Sequence, residues 1–348
     1  MTRSKISFDR LRTSGGIILC ILNFVLYGAE KSAPYFFEYC IVDTSRKELY
    51  PHTTSQPYRT CMMHVWIPHP SIHFCKAKTL RANGGKQYPL ILFSHGLGQT
   101  YNGMTYTNLC KNIASHGYIV ASVSHTYACK PIQFPGDSTQ SPYLFPSQLI
   151  HFQSNKHMFD IEADMWVADM ICALDECARY NLCEDNPLYD VIDMSRVGVV
   201  GHSLGGATAF QVCRTDDRVK VAVNLDGPLY GTGCHIPCNK PMLCIFGSSV
   251  LSGQITSLGI VPHHAALFWR HCFNTMWLPA LNKFIASSPQ IQTVTIDGII
   301  HDTFSDYALT PDPAIQKWLL DGATAQEMIC KYVCDFLDRY FLHSYTTV

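Results

Sequence analysis

The sequence predicts an α/β fold, with a mostly parallel central sheet flanked by helices on both faces. Three observations predict it. From residue 58 onward, short apolar runs alternate with helical patterns. Several of those runs, Leu90–Phe93 and Met242–Phe246 among them, are continuously apolar, as strands buried on both faces are. A Gly-x-Ser-x-Gly stretch then stands between one such run and a helix-compatible one. The composition agrees: 47% of the 348 residues are hydrophobic and 15% are charged, which excludes intrinsic disorder. A net charge of −1 gives no drive toward nucleic acid. No apolar run reaches the roughly 18 residues of a transmembrane helix.

The amino-terminal segment carries Arg3, Lys5, Arg10 and Arg12 against Asp9, followed by the apolar stretch Ile17–Ala29. Residues 1–29 therefore read as a signal peptide or short membrane anchor, which makes the protein secreted or membrane-associated. The cleavage signal is poor, because Leu26 and Tyr27 are large. A buried or membrane-surface helix on a cytoplasmic enzyme is the alternative. Residues 30–348 read as a single domain.

Its expected strands are Cys61–Ile67, Leu90–Phe93, Tyr118–Val123, Arg196–Val200, Val219–Leu225, Met242–Phe246 and Gln292–Ile296. The last alternates polar and apolar residues, as a strand near the sheet edge does. A helix over Met104–His116 is expected to stop at Gly117. A second, over Asp160–Tyr180, carries Ile161, Met165, Ala168, Ile171, Cys172 and Leu174 at helical spacing, and Gln326–Leu342 reads as the last helix. Lys130–Ser154 reads as a loop excursion. Ser248–Ser288 is a long connection holding Phe268, Trp269, Phe273, Met276, Trp277 and Leu278, a cluster suited to core packing or lipid contact. The 16 cysteines read as mostly reduced, buried thiols with room for one or two bridges. Cys234-His235-x-x-Cys238 has no second ligand pair at zinc spacing, so no metal and no cofactor is expected.

Gly201-His202-Ser203-Leu204-Gly205 follows the strand Arg196–Val200 directly and precedes the small-residue run Ala207–Val212. Strand, turn and helix in that order form the nucleophile elbow of α/β-hydrolases, which lifts the serine oxygen above the carboxyl edge of the sheet. In this fold a carboxylate and then a histidine follow the serine. Asp226 ends the strand Val219–Leu225, and His301 follows the strand Gln292–Ile296 by a short loop. The expected triad is therefore Ser203, Asp226 and His301, with Asp302 and Asp297 as reserve acids. The oxyanion hole needs the amide of Leu204 and one from the Ser94-His95-Gly96-Leu97-Gly98 turn, expected to be that of Leu97.

These stretches resemble the platelet-activating factor acetylhydrolases of the plasma and intracellular type II kind. The resemblance rests on Tyr88–Gly98, Ala114–Ala121, Gly201–Thr208 and Gly298–Asp306, in the family's order, and on the spacing of Ser203 and Asp226. It implies an α/β-hydrolase fold and a calcium-independent serine esterase. Its substrate would be the short or oxidised sn-2 acyl ester of a phospholipid, met at a membrane or lipoprotein surface. Leu204 stands where the family usually has Phe, and Gly227-Pro228 replaces Ala-Trp, so headgroup preference does not transfer. The Asn224–Gly231 stretch is nearer to dienelactone-hydrolase-like esterases, which makes a soluble carboxylesterase on small esters the alternative. A non-catalytic binding module would not need all three triad residues.

Overall fold

The seven expected apolar or alternating runs all form strands, each close to where the sequence puts it. The computed structural model describes residues 12–13, 16–17, 35–47, 58–68, 86–98, 105–132, 134, 156–234, 236–248, 278–309 and 320–342. Besides a separate antiparallel pair of two-residue strands, Arg12–Thr13 and Gly16–Ile17, its strands are β1 Tyr35–Lys47, β2 Tyr58–Ile67, β3 Tyr88–Ser94, β4 Ile119–Ser124, β5 Ile192–His202, β6 Val219–Leu225, β7 Met242–Gly247 and β8 Ile291–Ile296. The helices are α1 Thr107–Ser115, α2 Lys156–Asn181, α3 Leu204–Thr215, α4 Leu278–Ser287 and α5 Gly322–Phe341. The eight strands form one sheet in the order β8-β7-β6-β5-β3-β4-β2-β1. Every neighbouring pair from β8 to β4 is parallel, and β2 alone runs antiparallel to both of its neighbours.

Successive residues of a central strand face opposite layers. Leu90 and Leu92 of β3 join a core built with α2, α3 and α4, through Met170, Leu174, Phe210, Val212, Leu281 and Phe284. Ile91 and Phe93 join the other core, with Leu109 and Ile113 of α1 and Ile329, Val333 and Leu337 of α5. Helices thus cover both faces, and the parallel strands deliver their carboxyl ends to one edge. Gly117 ends α1 with φ +98°, as its position in the sequence requires. Gln292–Ile296 lies in the edge strand β8.

Three expectations need correction. Tyr35–Lys47 forms an additional strand, upstream of the first expected one at Cys61. Phe37, Tyr39 and Ile41 are buried, while Glu38 and Cys40 between them and Val42 after them are half-buried. The long connection Ser248–Ser288 contains a helix, α4, anchored by Leu281 and Phe284. Residues 268–277 of its aromatic cluster, like most of 1–29 and of Lys130–Ser154, lie outside the described residues. The buried stripe of α2 is also rotated from the expected one. Ile161 is exposed, and Ala163, Trp166, Asp169, Met170, Ala173 and Cys177 face inward. Asp169 can sit there because Arg59 (2.8 and 3.1 Å) and Arg46 (2.7 Å) meet its carboxylate. Without them its burial would cost several kcal/mol.

The described cysteines are all free thiols, most of them buried, and Cys330 and Cys334 share the inner face of α5. Cys238 departs from the inert pattern. A hydrogen bond from the Cys213 thiol outweighs burial and, with Lys240, draws its thiol down to about 6. Among the described residues, no helix is long and apolar enough to cross a membrane.

Candidate active site

Strand β5 hands the chain to α3 through a single strained residue. Ser203 has φ 58° and ψ −124°, a conformation that L-residues avoid and that places its side chain above the sheet edge. Close packing of backbone holds it there. A Cβ on Gly201 would lie 2.1 Å from the Gly205 carbonyl oxygen, so strand and helix can touch here only because residue 201 is glycine. Ser203 N–H donates to Leu225 O at 2.9 Å, which ties the turn to β6.

Gly205 makes a second close approach. A Cβ there would lie 2.2 Å from the Ser94 carbonyl oxygen and 2.4 Å from that of His95, and neither backbone atom can move aside. Gly205→Ala is expected to cost about 3 kcal/mol, the upper end of overpacking penalties. In a thermal melt that is a drop of roughly 5–10 °C. An unchanged Tm would show that the two segments are not in contact.

At the end of β6, Asp226 also takes a positive φ, 55°. Asn224 closes the turn around it, accepting from Gly227 N–H at 2.8 Å and donating to Gly227 O at 2.9 Å. The Asp226 carboxylate receives Gly247 N–H on Oδ1 at 3.0 Å, and its Oδ2 lies 2.7 Å from His301 Nδ1. The other nitrogen of that ring, Nε2, is 2.9 Å from Ser203 Oγ. The structure thus brings Ser203, His301 and Asp226 into one hydrogen-bonded chain, although the sequence separates the outer pair from the histidine by 98 and 75 residues. It is Asp226, rather than Asp297 or Asp302, whose carboxylate meets Nδ1. Burial alone would lower the pKa of His301. The hydrogen bond and charge of Asp226, helped by the charge of Asp302, outweigh it and hold the imidazole above its ordinary value of 6.5.

Leu97 lies in the turn after β3 and Leu204 opens α3, where the first amides of a helix have no intrahelical acceptor. Their side chains pack in one apolar cluster with Phe159, Trp166 and Tyr230. The two residues expected to supply oxyanion amides are therefore neighbours beside Ser203. A buried polar network braces the turn. His95 Nδ1–H donates to Gly96 O at 2.7 Å, and its Nε2 accepts from His125 N–H at 3.0 Å, so its tautomer is fixed. Burial and the adjoining His125 push His95 down to about 3, so it stays neutral. His125 stacks on Trp166 at 4.1 Å and spans Asp169 and Ser94, each at 2.9 Å.

Ser94, His125 and Asp169 repeat the residue types of the first chain, but all three are buried. Ser203 and His301 are half-buried, so only their chain meets solvent. The sequence reading passed over this network, together with His202, Tyr106 and Gln326. Gln326 donates to Thr303 O (2.6 Å) and Ser305 O (3.0 Å), fixing the segment that starts at His301 against α5.

Known proteins agree with this architecture. A family described as platelet-activating factor acetylhydrolase, isoform II, matches residues 55–139 and 179–345. The platelet-activating factor acetylhydrolase of Cavia porcellus is 23% identical over 286 residues, 74% of this chain and 58% of that one. That of Gallus gallus is 24% identical over 272 residues, 70% of this chain and 59% of that one. The chain thus spans less than two thirds of the length of these relatives. In fold, it is similar to a ferulic acid esterase from Streptomyces cinnamoneus, with a TM-score of 0.60 at 22% identity, covering 92% of this chain and 93% of that one.

Proposed function

The chain belongs to the platelet-activating factor acetylhydrolase, isoform II, family, and from that premise we propose that it is a serine ester hydrolase. Its substrates would be phospholipids with a short or oxidised sn-2 acyl group, such as platelet-activating factor. The observation that carries the reading is the Ser203–His301–Asp226 chain, at 2.9 and 2.7 Å. His301, oriented by Asp226, takes the Ser203 proton as the hydroxyl attacks the ester carbonyl. The Leu97 and Leu204 amides receive the oxyanion. His301 then protonates the leaving alcohol, and water hydrolyses the acyl-serine by the same path. Such lipids are met at membrane or lipoprotein surfaces, so peripheral contact with one, and secretion or membrane association, belong to the proposal.

Two measurements follow. Only neutral imidazole can accept the serine proton, so kcat/KM should rise with pH through the His301 pKa, with its midpoint above the ordinary imidazole value of 6.5. A midpoint below that value would contradict the Asp226 pairing. The second measurement compares a 2-acetyl phosphatidylcholine, a long-chain 2-acyl phosphatidylcholine and p-nitrophenyl acetate, each with a chelator present. Rapid hydrolysis of the 2-acetyl lipid over the long-chain lipid supports the proposal. Hydrolysis of p-nitrophenyl acetate alone would leave a small-ester carboxylesterase instead, and loss of activity to the chelator would overturn the metal-free mechanism.

A further inference from the structure

A buried polar link outside the Ser203–His301–Asp226 chain runs through the Tyr106 hydroxyl. Tyr106 is fully buried just before α1, its ring tilted against Phe93 at 4.9 Å. Its oxygen accepts from Gly96 N–H at 3.0 Å and lies 2.7 Å from His202 Nδ1. A phenol has one proton. With Gly96 N–H on its oxygen, the hydroxyl can still give that proton to Nδ1 of a neutral His202. Burial pushes His202 well below the ordinary imidazole range and Tyr106 well above the ordinary phenol range, so both keep these states. The His202 ring lies 4.5 Å from that of His301 and stacks on Phe304 at 5.6 Å.

Gly96 is thereby held at both ends. Its N–H is fixed by Tyr106 and its C=O by His95 Nδ1 at 2.7 Å. In a trans peptide the N–H of Leu97 points opposite to the C=O of Gly96, so fixing that carbonyl aims the amide assigned to the oxyanion. We propose that Tyr106 is a positioning residue for oxyanion stabilisation, its hydroxyl locking the Gly96–Leu97 turn to the His202 ring that packs against His301. The same loop also fixes Tyr106 from the other direction. Asp306, five residues after His301, caps the start of α1 by accepting from Thr107 N–H (2.8 Å) and Asn108 N–H (3.2 Å). The oxyanion turn and the triad base are therefore set relative to each other by one rigid connection, so a small shift at Tyr106 reaches both.

The inference rests on the serine esterase reading, and the test separates the two. Tyr106→Phe keeps the ring and deletes the hydroxyl. It should lower kcat between about ten- and hundred-fold, as misplacement or loss of an oxyanion donor does, and leave KM within about two-fold. A trifluoromethyl ketone, whose serine adduct carries the oxyanion, should lose affinity by the same factor as kcat/KM. Wild-type activity that does not depend on Ser203 would remove the esterase reading itself. Ser203-dependent wild-type activity with an unchanged kcat in Tyr106→Phe would remove this inference alone, as would a loss confined to KM or an unchanged affinity for the ketone. If Tyr106→Phe fails to fold, His202→Phe carries the same test. It keeps an aromatic plate beside His301 but gives the hydroxyl no acceptor, and the same outcomes decide.

Discussion

Replacing Ser203 with alanine should reduce kcat for ester hydrolysis by about 10⁵- to 10⁶-fold and leave the melting temperature of the protein nearly unchanged. The size follows from the mechanism: without Oγ there is no acyl-enzyme, and only binding and oxyanion stabilisation remain. The alanine methyl fits where the serine Cβ already stands. The positive φ of residue 203 is imposed by the Gly201–Gly205 contact and the bond to Leu225 O, none of which the substitution touches. A variant that kept more than about a hundredth of the activity would place the nucleophile elsewhere.

Asp226→Asn should cost about 10⁴-fold in kcat, because an amide can hold Nδ1 only in the wrong tautomer and cannot stabilise the imidazolium that forms. The Asp226 hydrogen bond and charge are what keep the His301 pKa raised. Removing them should also move the acid limb of residual activity to lower pH. Asp302→Asn separates the roles of the two acids. Asp302 adds only charge at a distance to the His301 titration, so its removal should shift the limb in the same direction, with activity kept within a few-fold. If Asp302→Asn were the damaging change and Asp226→Asn the mild one, the acid would be misassigned.

The hydrogen-bonded chain of Ser203, His301 and Asp226 was legible in the sequence because each member is announced by something local. Ser203 sits in a Gly-x-Ser-x-Gly turn, Asp226 ends an apolar strand and His301 follows an edge strand. Chain order and strand ends then suffice, since parallel strands place their carboxyl ends together. The support around the triad has no such local mark. Tyr106 and His202 are 96 residues apart, His125 and Asp169 are 44 apart, and Arg59 and Asp169 are 110 apart. An aspartate on the inner stripe of a helix reads as exposed until its two arginines, on distant strands, are known. The first strand was hidden for a different reason. Tyr35–Phe37 and Tyr39–Val42 are apolar, but Glu38 interrupts them and the polar Asp43–Lys47 completes the strand, so no continuous run like those of the central strands marks it.

The central claim is that an ester's acyl group passes through Ser203, and trapping that intermediate tests it most directly. The full-length protein is mixed with a 2-acetyl phosphatidylcholine, quenched in acid during turnover, digested and analysed by mass spectrometry. The account predicts acetyl on the peptide containing Ser203, absent from Ser203→Ala and accumulating in variants impaired in deacylation. Acetyl found on a cysteine, or turnover with no acylated residue in any sample, would contradict it.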